Sequence, residues 1–210
     1  MATGDFHVGI RSTPRASPAP HGRRWPASLS VIFHWLAVAA MFGALATGLI
    51  LHRLSSCCDM GHGTLLNLHA SLGLTVLGLV GARVVARAIW RWPALPANTP
   101  LLQSLLARGV HTALYVLMIA LSLVGWSIVS ISGCCQVNPF VFNLFTLPSL
   151  DPSPIPSWSA AFALHSALAW IVMGAIGLHA SAAFLHHFVF KDDTLARVVL
   201  GLRAMRSRDR

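Results

Sequence analysis

Histidines placed inside very apolar segments are the residues of this sequence most able to do chemistry. Five of the eleven histidines lie well inside such segments: His34, His69, His111, His165 and His179. Ionisable side chains in a membrane interior are costly and usually mark a ligand site or a charge pathway. A single histidine there is as easily explained by a hydrogen bond to a neighbouring helix. A role as a ligand is therefore inferred only if the histidines form pairs.

Four of these histidines form two pairs, each at one depth in the membrane. His165 and His179 are 14 residues apart, which on an α-helix is nearly four turns, or roughly 21 Å along the axis. Both side chains therefore lie on about the same helix face, one near each membrane surface. Counted from the segment ends, His69 lies at the depth of His165. His34 lies at the depth of His179. We therefore expect two facing pairs, His69 with His165 and His34 with His179.

A facing pair of imidazoles supplies the two axial ligands of a six-coordinate b-type haem, and the core of a helix bundle is a common cofactor site. Zinc is the competing metal, but it needs four ligands, or three and a water, and neither pair has a Cys, Asp or Glu nearby. Two haem b groups are the expected cofactors, with irons roughly 20 Å apart by the helix rise. Electrons would then cross the membrane without a moving carrier.

The elements that must position these histidines are four membrane-spanning helices. Apolar residues make up 55% of the 210-residue chain and the mean hydropathy is +0.67, more than a soluble domain carries. Four apolar stretches approach the roughly 20 residues that cross a bilayer, at about 29–52, 64–90, 103–131 and 159–189. Lipid offers no partner for backbone polar groups, so each stretch must be a helix. The sequence predicts an all-α, integral membrane four-helix bundle, and we see no internal repeat along it.

The basic residues predict the orientation. Fourteen of the fifteen Lys and Arg lie in the N-terminal tail, the stretch 83–108 and the C-terminal tail. Because basic residues favour the cytoplasmic side, both termini are expected there. We expect a disordered basic tail over 1–28, the haem-binding bundle over 29–190 and a basic tail over 191–210. The net charge of +9 points to anionic lipid headgroups rather than nucleic acid, since the basic residues flank spans in short groups.

Four motifs make the chain similar to a known family. They are IFHW (32–35), LNLH (66–69), HTALY (111–115) and IGLHASAAFLHHFVFKDDTLARV (176–198). With them the chain resembles the bacterial cytochrome b561 family, four-span di-haem membrane cytochromes linked to quinone, from about residue 30 to 197. The resemblance implies that four histidines are axial haem ligands: His34, His69, His165 and His179.

Arg83 is a further cofactor-binding candidate. It follows His69 by 14 residues and so lies on about the same helix face, at the depth of the cytoplasmic haem. Its guanidinium suits a haem propionate. The alternative is a basic anchor that reaches toward lipid headgroups.

Three histidines are candidates for quinone and proton chemistry. His111 lies at cytoplasmic depth, where it either contacts a quinone or a propionate or replaces His34 as a ligand. His186 and His187 lie two turns beyond His179, at the water interface, where histidine can pass protons. Quinone chemistry couples electrons to protons, so we expect ubiquinone as substrate at this end.

All cysteines of the chain lie in two doublets within the predicted outward loops: Cys57, Cys58, Cys134 and Cys135. The periplasm is oxidising, and neighbouring cysteines rarely bond to each other, so disulfides between the two loops are expected, with the pairing open. The alternative is a soft-metal site with three nearby side chains as further ligands: His52, Met60 and His62.

The expected function is electron transfer between a donor and the quinone pool. Some relatives in the resembled family take electrons from superoxide, and that reaction is compatible with this chain. One alternative is a cytochrome b anchor that relays electrons for a partner dehydrogenase or hydrogenase, and another is a haem-free metal transporter or sensor. Membrane lipid and quinone are the expected partners, with self-association or a redox partner protein left open.

Overall fold

Four long helices make up most of the molecule. The computed structural model describes residues 27–54, 60–90, 101–131, 140–150, 155, 157–189, 191 and 195. The helices are α1 (Ala27–Arg53), α2 (Met60–Ile89), α3 (Leu101–Ile131) and α4 (Trp158–Phe188). Each lies within a few residues of a predicted span. Nearly all of the predicted tails, and all four cysteines, lie outside the described residues.

All four helices are long and apolar enough to cross a membrane. Large apolar side chains cover much of their outer surface, for example Phe42 at 59% exposure and Trp170 at 63%. Exposed apolar surface of this extent marks contact with lipid or protein. The membrane four-helix bundle is therefore confirmed, and the side of the membrane that each end faces stays a prediction.

The tightest packing lies midway along the bundle. Consecutive helices pack on each other, α1 on α2, α2 on α3 and α3 on α4. Val76 of α2 and Val172 of α4 are 1% and 0% exposed and join Met41 of α1 in one buried cluster. Val172 is seven residues from both His165 and His179. The apolar cluster therefore separates two levels of the bundle, each with its own histidines.

A short β-hairpin, which no sequence pattern predicted, follows α3. Strands β1 (Phe140–Val141) and β2 (Phe145–Thr146) pair antiparallel. The Phe142 backbone N–H donates to Ser71 Oγ at 2.8 Å, which ties the hairpin to α2. Strands of two residues are too short to show the alternation by which a strand is detected. The hairpin rests on one end of the bundle, near the level of His69 and His165.

Candidate functional site

His69 of α2 and His165 of α4 face each other inside the bundle. Their ring centroids are 6.0 Å apart and the ring planes are nearly perpendicular, at 82°. Imidazole nitrogens lie about 2 Å from a bound metal, so two rings that share one metal have centroids about 6 Å apart. The predicted pair is brought together at a distance that suits one shared metal ion.

The hydrogen bonds of these two rings fix which nitrogen is available. His69 Nδ1 lies 2.9 Å from the Ala44 carbonyl oxygen, and His165 Nδ1 lies 3.1 Å from the Leu121 carbonyl oxygen. A carbonyl only accepts, so each Nδ1 carries the hydrogen and each Nε2 keeps a free lone pair. Metal-binding histidines typically donate their second nitrogen to a carbonyl in this way. The Nε2 atom of each ring is therefore available to bind a metal ion.

A glycine lies against each of these rings. A Cβ added at Gly48 of α1 would lie 2.9 Å from His69 Cε1, and one at Gly125 of α3 would lie 2.9 Å from His165 Cε1. Atoms that close must move apart, so both positions accept only glycine while the rings stay in place. Neither glycine was predicted as a site residue from the sequence, because both are distant in the chain from the histidines they touch.

Together these four residues form a level of the bundle that we call the His165 layer, which consists of Gly48, His69, Gly125 and His165. Thr47 adds a further contact, since its Oγ1 lies 3.1 Å from His69 Nδ1. The threonine hydroxyl donates to the Gly43 carbonyl at 2.8 Å, which leaves its oxygen free to accept from the imidazole. His69 therefore has two acceptors at Nδ1.

At the other end of the bundle lies a second level, the His179 layer, which consists of His34, Arg83, His111 and His179. The ring centroids of His111 and His179 are 5.1 Å apart at an interplanar angle of 76°. His34 is within electrostatic range of the other three side chains of the layer. The structure thus groups the predicted pair of His34 and His179, but it also places His111 beside His179. His34 and His111 are therefore both placed to be the partner of His179.

Arg83 connects α2 to α1. It is half-buried, and its Nη1 donates to the Ser30 carbonyl oxygen at 3.1 Å. Ser30 lies in the first turn of α1 (Ala27–Arg53), nearer the end of the bundle than His34. A side chain that extends in that direction suits a headgroup anchor as well as a haem propionate, so both interpretations of Arg83 stay predictions.

A cleft opens between α2 and α3 beside the His179 layer. It has a volume of about 290 Å³, and its lining consists of Val84, Arg87, Arg108, His111, Thr112 and Tyr115. Arg87 Nη1 donates to the Tyr115 hydroxyl at 3.4 Å. His111 Nδ1 donates to the Ala107 carbonyl at 2.6 Å, so its Nε2 is left for another partner. Of the three predicted quinone or proton residues, His111 is the one that lines the cleft.

The other two candidates lie farther along α4. Gln103 Nε2 of α3 is 3.4 Å from His186 Nε2, and the ring of His187 packs edge-on against Phe188 at 4.9 Å. The helix therefore places both histidines beyond the cleft, toward the end of the bundle. Within the ranges that the structure describes, no group of three or more His, Cys, Asp or Glu is placed to hold a metal ion.

Comparison with known proteins gives the family. The profile of the prokaryotic cytochrome b561 family matches residues 24–201, which includes all four helices. The chain belongs to the prokaryotic cytochrome b561 family. It is a multi-pass protein of the bacterial inner membrane and a cytochrome of electron transport, and haem b is the cofactor that this family implies.

Three curated relatives are similar over most of their length. Cytochrome b561 homolog 2 of Escherichia coli K12 is 37% identical over 174 residues, or 81% of this chain and 89% of the relative. A probable superoxide oxidase, CybB, of Yersinia pestis is 32% identical over 63% of this chain and 73% of its own length. Cytochrome b561 homolog 1 of E. coli K12 is 28% identical over 62% of this chain and 72% of its own.

Proposed function

We propose that this b561-family protein binds two haem b groups, one in each histidine layer, and passes electrons between a donor and the quinone pool. The observation that carries the proposal is the presence of two separate histidine layers in the same four helices. On α4 they are marked by His165 and His179, 14 residues apart and hence roughly 21 Å along the axis. Haem supplies the one-electron redox chemistry, while the helices hold it and set its surroundings.

The axial ligands are assigned layer by layer. In the His165 layer, His69 and His165 hold the iron through Nε2, because both Nδ1 atoms donate to backbone carbonyls. In the His179 layer we assign His34 and His179, with His111 as the alternative partner of His179. Arg83 lies in the same layer and provides a positive charge suited to a propionate.

The cleft beside the His179 layer is the quinone site of this proposal. Reduction of a quinone to a quinol takes two electrons and two protons. The cleft brings His111, which touches His179, together with Tyr115 and Arg87, so hydrogen-bonding groups lie next to a proposed haem ligand. Farther along α4, His186 and His187 are candidates for carrying protons between the cleft and water.

The His179 end is assigned to the cytoplasm and the His165 end to the periplasm. Arg87 and Arg108 lie at the His179 end, and basic residues at span ends favour the cytoplasmic side. Both termini then face the cytoplasm, as predicted from the whole chain. Electrons from a periplasmic donor would enter at the His165 layer and leave at the cleft.

Superoxide is a specific candidate for that donor. One relative carries the name probable superoxide oxidase. In a balanced reaction, two superoxide ions give up one electron each and become dioxygen, and one quinone takes both electrons and two protons to become quinol. A positive charge at the periplasmic end would attract the anion. Outside the two tails and the stretch 83–108 the chain has a single Lys or Arg, Arg53, exposed at the end of α1, so electrostatic steering of superoxide is expected to be weak.

The test of the proposal is a pair of single substitutions in the full-length protein. Haem per chain and the reduced-minus-oxidised visible spectrum are measured for His165→Ala and His179→Ala. We expect each variant to retain one haem, with different residual spectra, because the two histidines belong to different layers. Retention of both haems in either variant would rule out that residue as a ligand.

A further inference from the structure

We propose that the bundle is a duplicated helical hairpin, in which α1–α2 corresponds to α3–α4, and that Gly48 and Gly125 are equivalent residues that position the two ligand rings of the His165 layer. This goes beyond the proposed function but relies on its assignment of a haem to that layer. The amino-acid sequence alone does not show this repeat.

The contacts of the two rings show the correspondence. His69 of α2 donates to the carbonyl of Ala44 on α1 and lies against Gly48, four residues later. His165 of α4 donates to the carbonyl of Leu121 on α3 and lies against Gly125, again four residues later. Each ring is therefore held by the preceding helix through the same two features at the same spacing.

The two hairpins also share residues in sequence when they are aligned by these contacts. In α1, HWLAVAAMFGALATG (34–48) has His, Met and Gly at intervals of seven residues, and in α3 HTALYVLMIALSLVG (111–125) has the same three residues at the same places. In α2 and α4, HASLGLTVLGLVGAR (69–83) and HSALAWIVMGAIGLH (165–179) share a histidine, a leucine, a valine and two glycines in register.

Intervals of seven residues return a side chain to nearly the same helix face, so the repeat produces layers. The third layer, midway between the other two, consists of Met41, Val76, Met118 and Val172. Met41, Val76 and Val172 belong to one buried cluster, and Met118 packs against it. Equivalent residues of the two hairpins thus meet at one level in the middle of the bundle, as they do in the His165 layer.

The repeat breaks in the His179 layer. His34 corresponds to His111, but the residue of α2 that corresponds to His179 is Arg83. Each hairpin therefore contributes one glycine and one histidine to the His165 layer. To the His179 layer the first hairpin contributes a histidine and an arginine, and the second contributes two histidines. Arg83 thus occupies in the first hairpin the position that a proposed haem ligand occupies in the second.

Replacement of Gly48 or Gly125 by alanine tests whether the glycine positions its partner histidine ring. A Cβ 2.9 Å from the ring carbon of its partner histidine forces that ring away from its carbonyl partner. Overpacking of this kind is expected to weaken haem binding in that layer about tenfold. Because the two contacts are equivalent, Gly48→Ala and Gly125→Ala are expected to have the same effect.

Two other glycines provide a matched control. Gly78 and Gly174 also correspond in the repeat, both are exposed, and a Cβ at either would meet no described heavy atom of a neighbouring helix within 4 Å. Alanine at these positions is expected to leave haem binding unchanged. The comparison separates displacement of a ligand ring from the general effect of replacing glycine in a membrane helix.

The experiment titrates haem into each full-length apoprotein in detergent and records haem content and the low-spin ferric electron paramagnetic resonance spectrum. We expect Gly48→Ala and Gly125→Ala to lose affinity at one site by similar factors, with the second haem and its signal unchanged. Unchanged haem affinity, an effect of one glycine alone, or loss of both haems would overturn the inference. A His165→Ala variant that keeps both haems would instead overturn the haem assignment of the layer.

Discussion

The two histidine layers belong to the same four helices but differ in symmetry and in polarity. In the His165 layer, each of the two facing rings is held by a backbone carbonyl and a glycine of the preceding helix. In the His179 layer, three histidines and an arginine lie together beside a cleft with two further arginines. In the proposed function, the first layer only holds a haem, whereas the second also lies beside the quinone site.

This difference fits the roles that we propose for the two layers. A layer that only accepts and passes electrons needs fixed ligands and few other polar groups. A layer next to a quinone needs charges and exchangeable protons close to its haem. The substitutions below test that division, from complete loss of a haem to a small change in its potential.

The largest expected effect concerns the second ligand of the His179 layer. We expect His34→Ala to lose one of two haems and His111→Ala to keep both, since we assign His111 to the cleft. Haem quantification per chain measures this directly. The opposite result, one haem lost from His111→Ala and none from His34→Ala, would move the ligand role to His111, the ring that contacts His179.

The second largest effect is expected from removal of the Arg83 charge. Arg83→Gln deletes a positive charge beside His34, and a nearby positive charge favours the reduced haem. The midpoint potential of the His179-layer haem is expected to fall on the order of 50–100 mV. Arg83→Lys, which keeps the charge, serves as the control. A spectroelectrochemical titration in which the other haem shifts more would contradict the placement of Arg83.

Quinone binding is expected to depend on the cleft and not on the histidines farther along α4. Tyr115→Phe removes the hydroxyl that Arg87 contacts, and we expect the KM for a short-chain ubiquinone to rise about fivefold to tenfold. The visible spectrum of the haems should not change. Gln103→Ala removes a neighbour of His186 and is expected to leave KM unaltered, so a larger effect of Gln103→Ala would relocate the site.

The smallest expected effect concerns the threonine in the His165 layer. Thr47→Val removes the second acceptor at His69 Nδ1, which lowers the basicity of the ligand and raises the haem potential. A weak hydrogen bond of about 0.5 kcal/mol corresponds to about 20 mV for a one-electron couple. Thr75→Val is the matched control, because the Thr75 hydroxyl bonds to the Ser71 carbonyl of its own helix. A fall in potential with Thr47→Val would contradict this role.

Sequence patterns were sufficient for the helices because lipid imposes a simple rule on them. Each span is a long apolar stretch that must satisfy its backbone internally, and the four observed helices lie within a few residues of the predicted ones. The pairing of His69 with His165 was also predictable, since a helix converts spacing in the chain directly into depth.

Contacts between helices could not be predicted in the same way. The positions of Gly48 and Gly125 against the rings depend on how the helices are rotated, which hydropathy does not specify. For His111 the depth was predicted, but its contact with His179 was only an alternative to that of His34, because depth alone does not distinguish the two histidines. The repeat of the two hairpins became visible only after these contacts gave the register, because few residues other than those at the three layers are shared.

The most direct test of the central claim is the number of haem groups per chain in the purified wild-type protein. Haem is quantified as its pyridine complex against protein determined by amino-acid analysis. The account predicts two haem b per chain, one for each histidine layer. A value of one, with a single redox transition, would contradict it, because one of the layers would then not be a haem site.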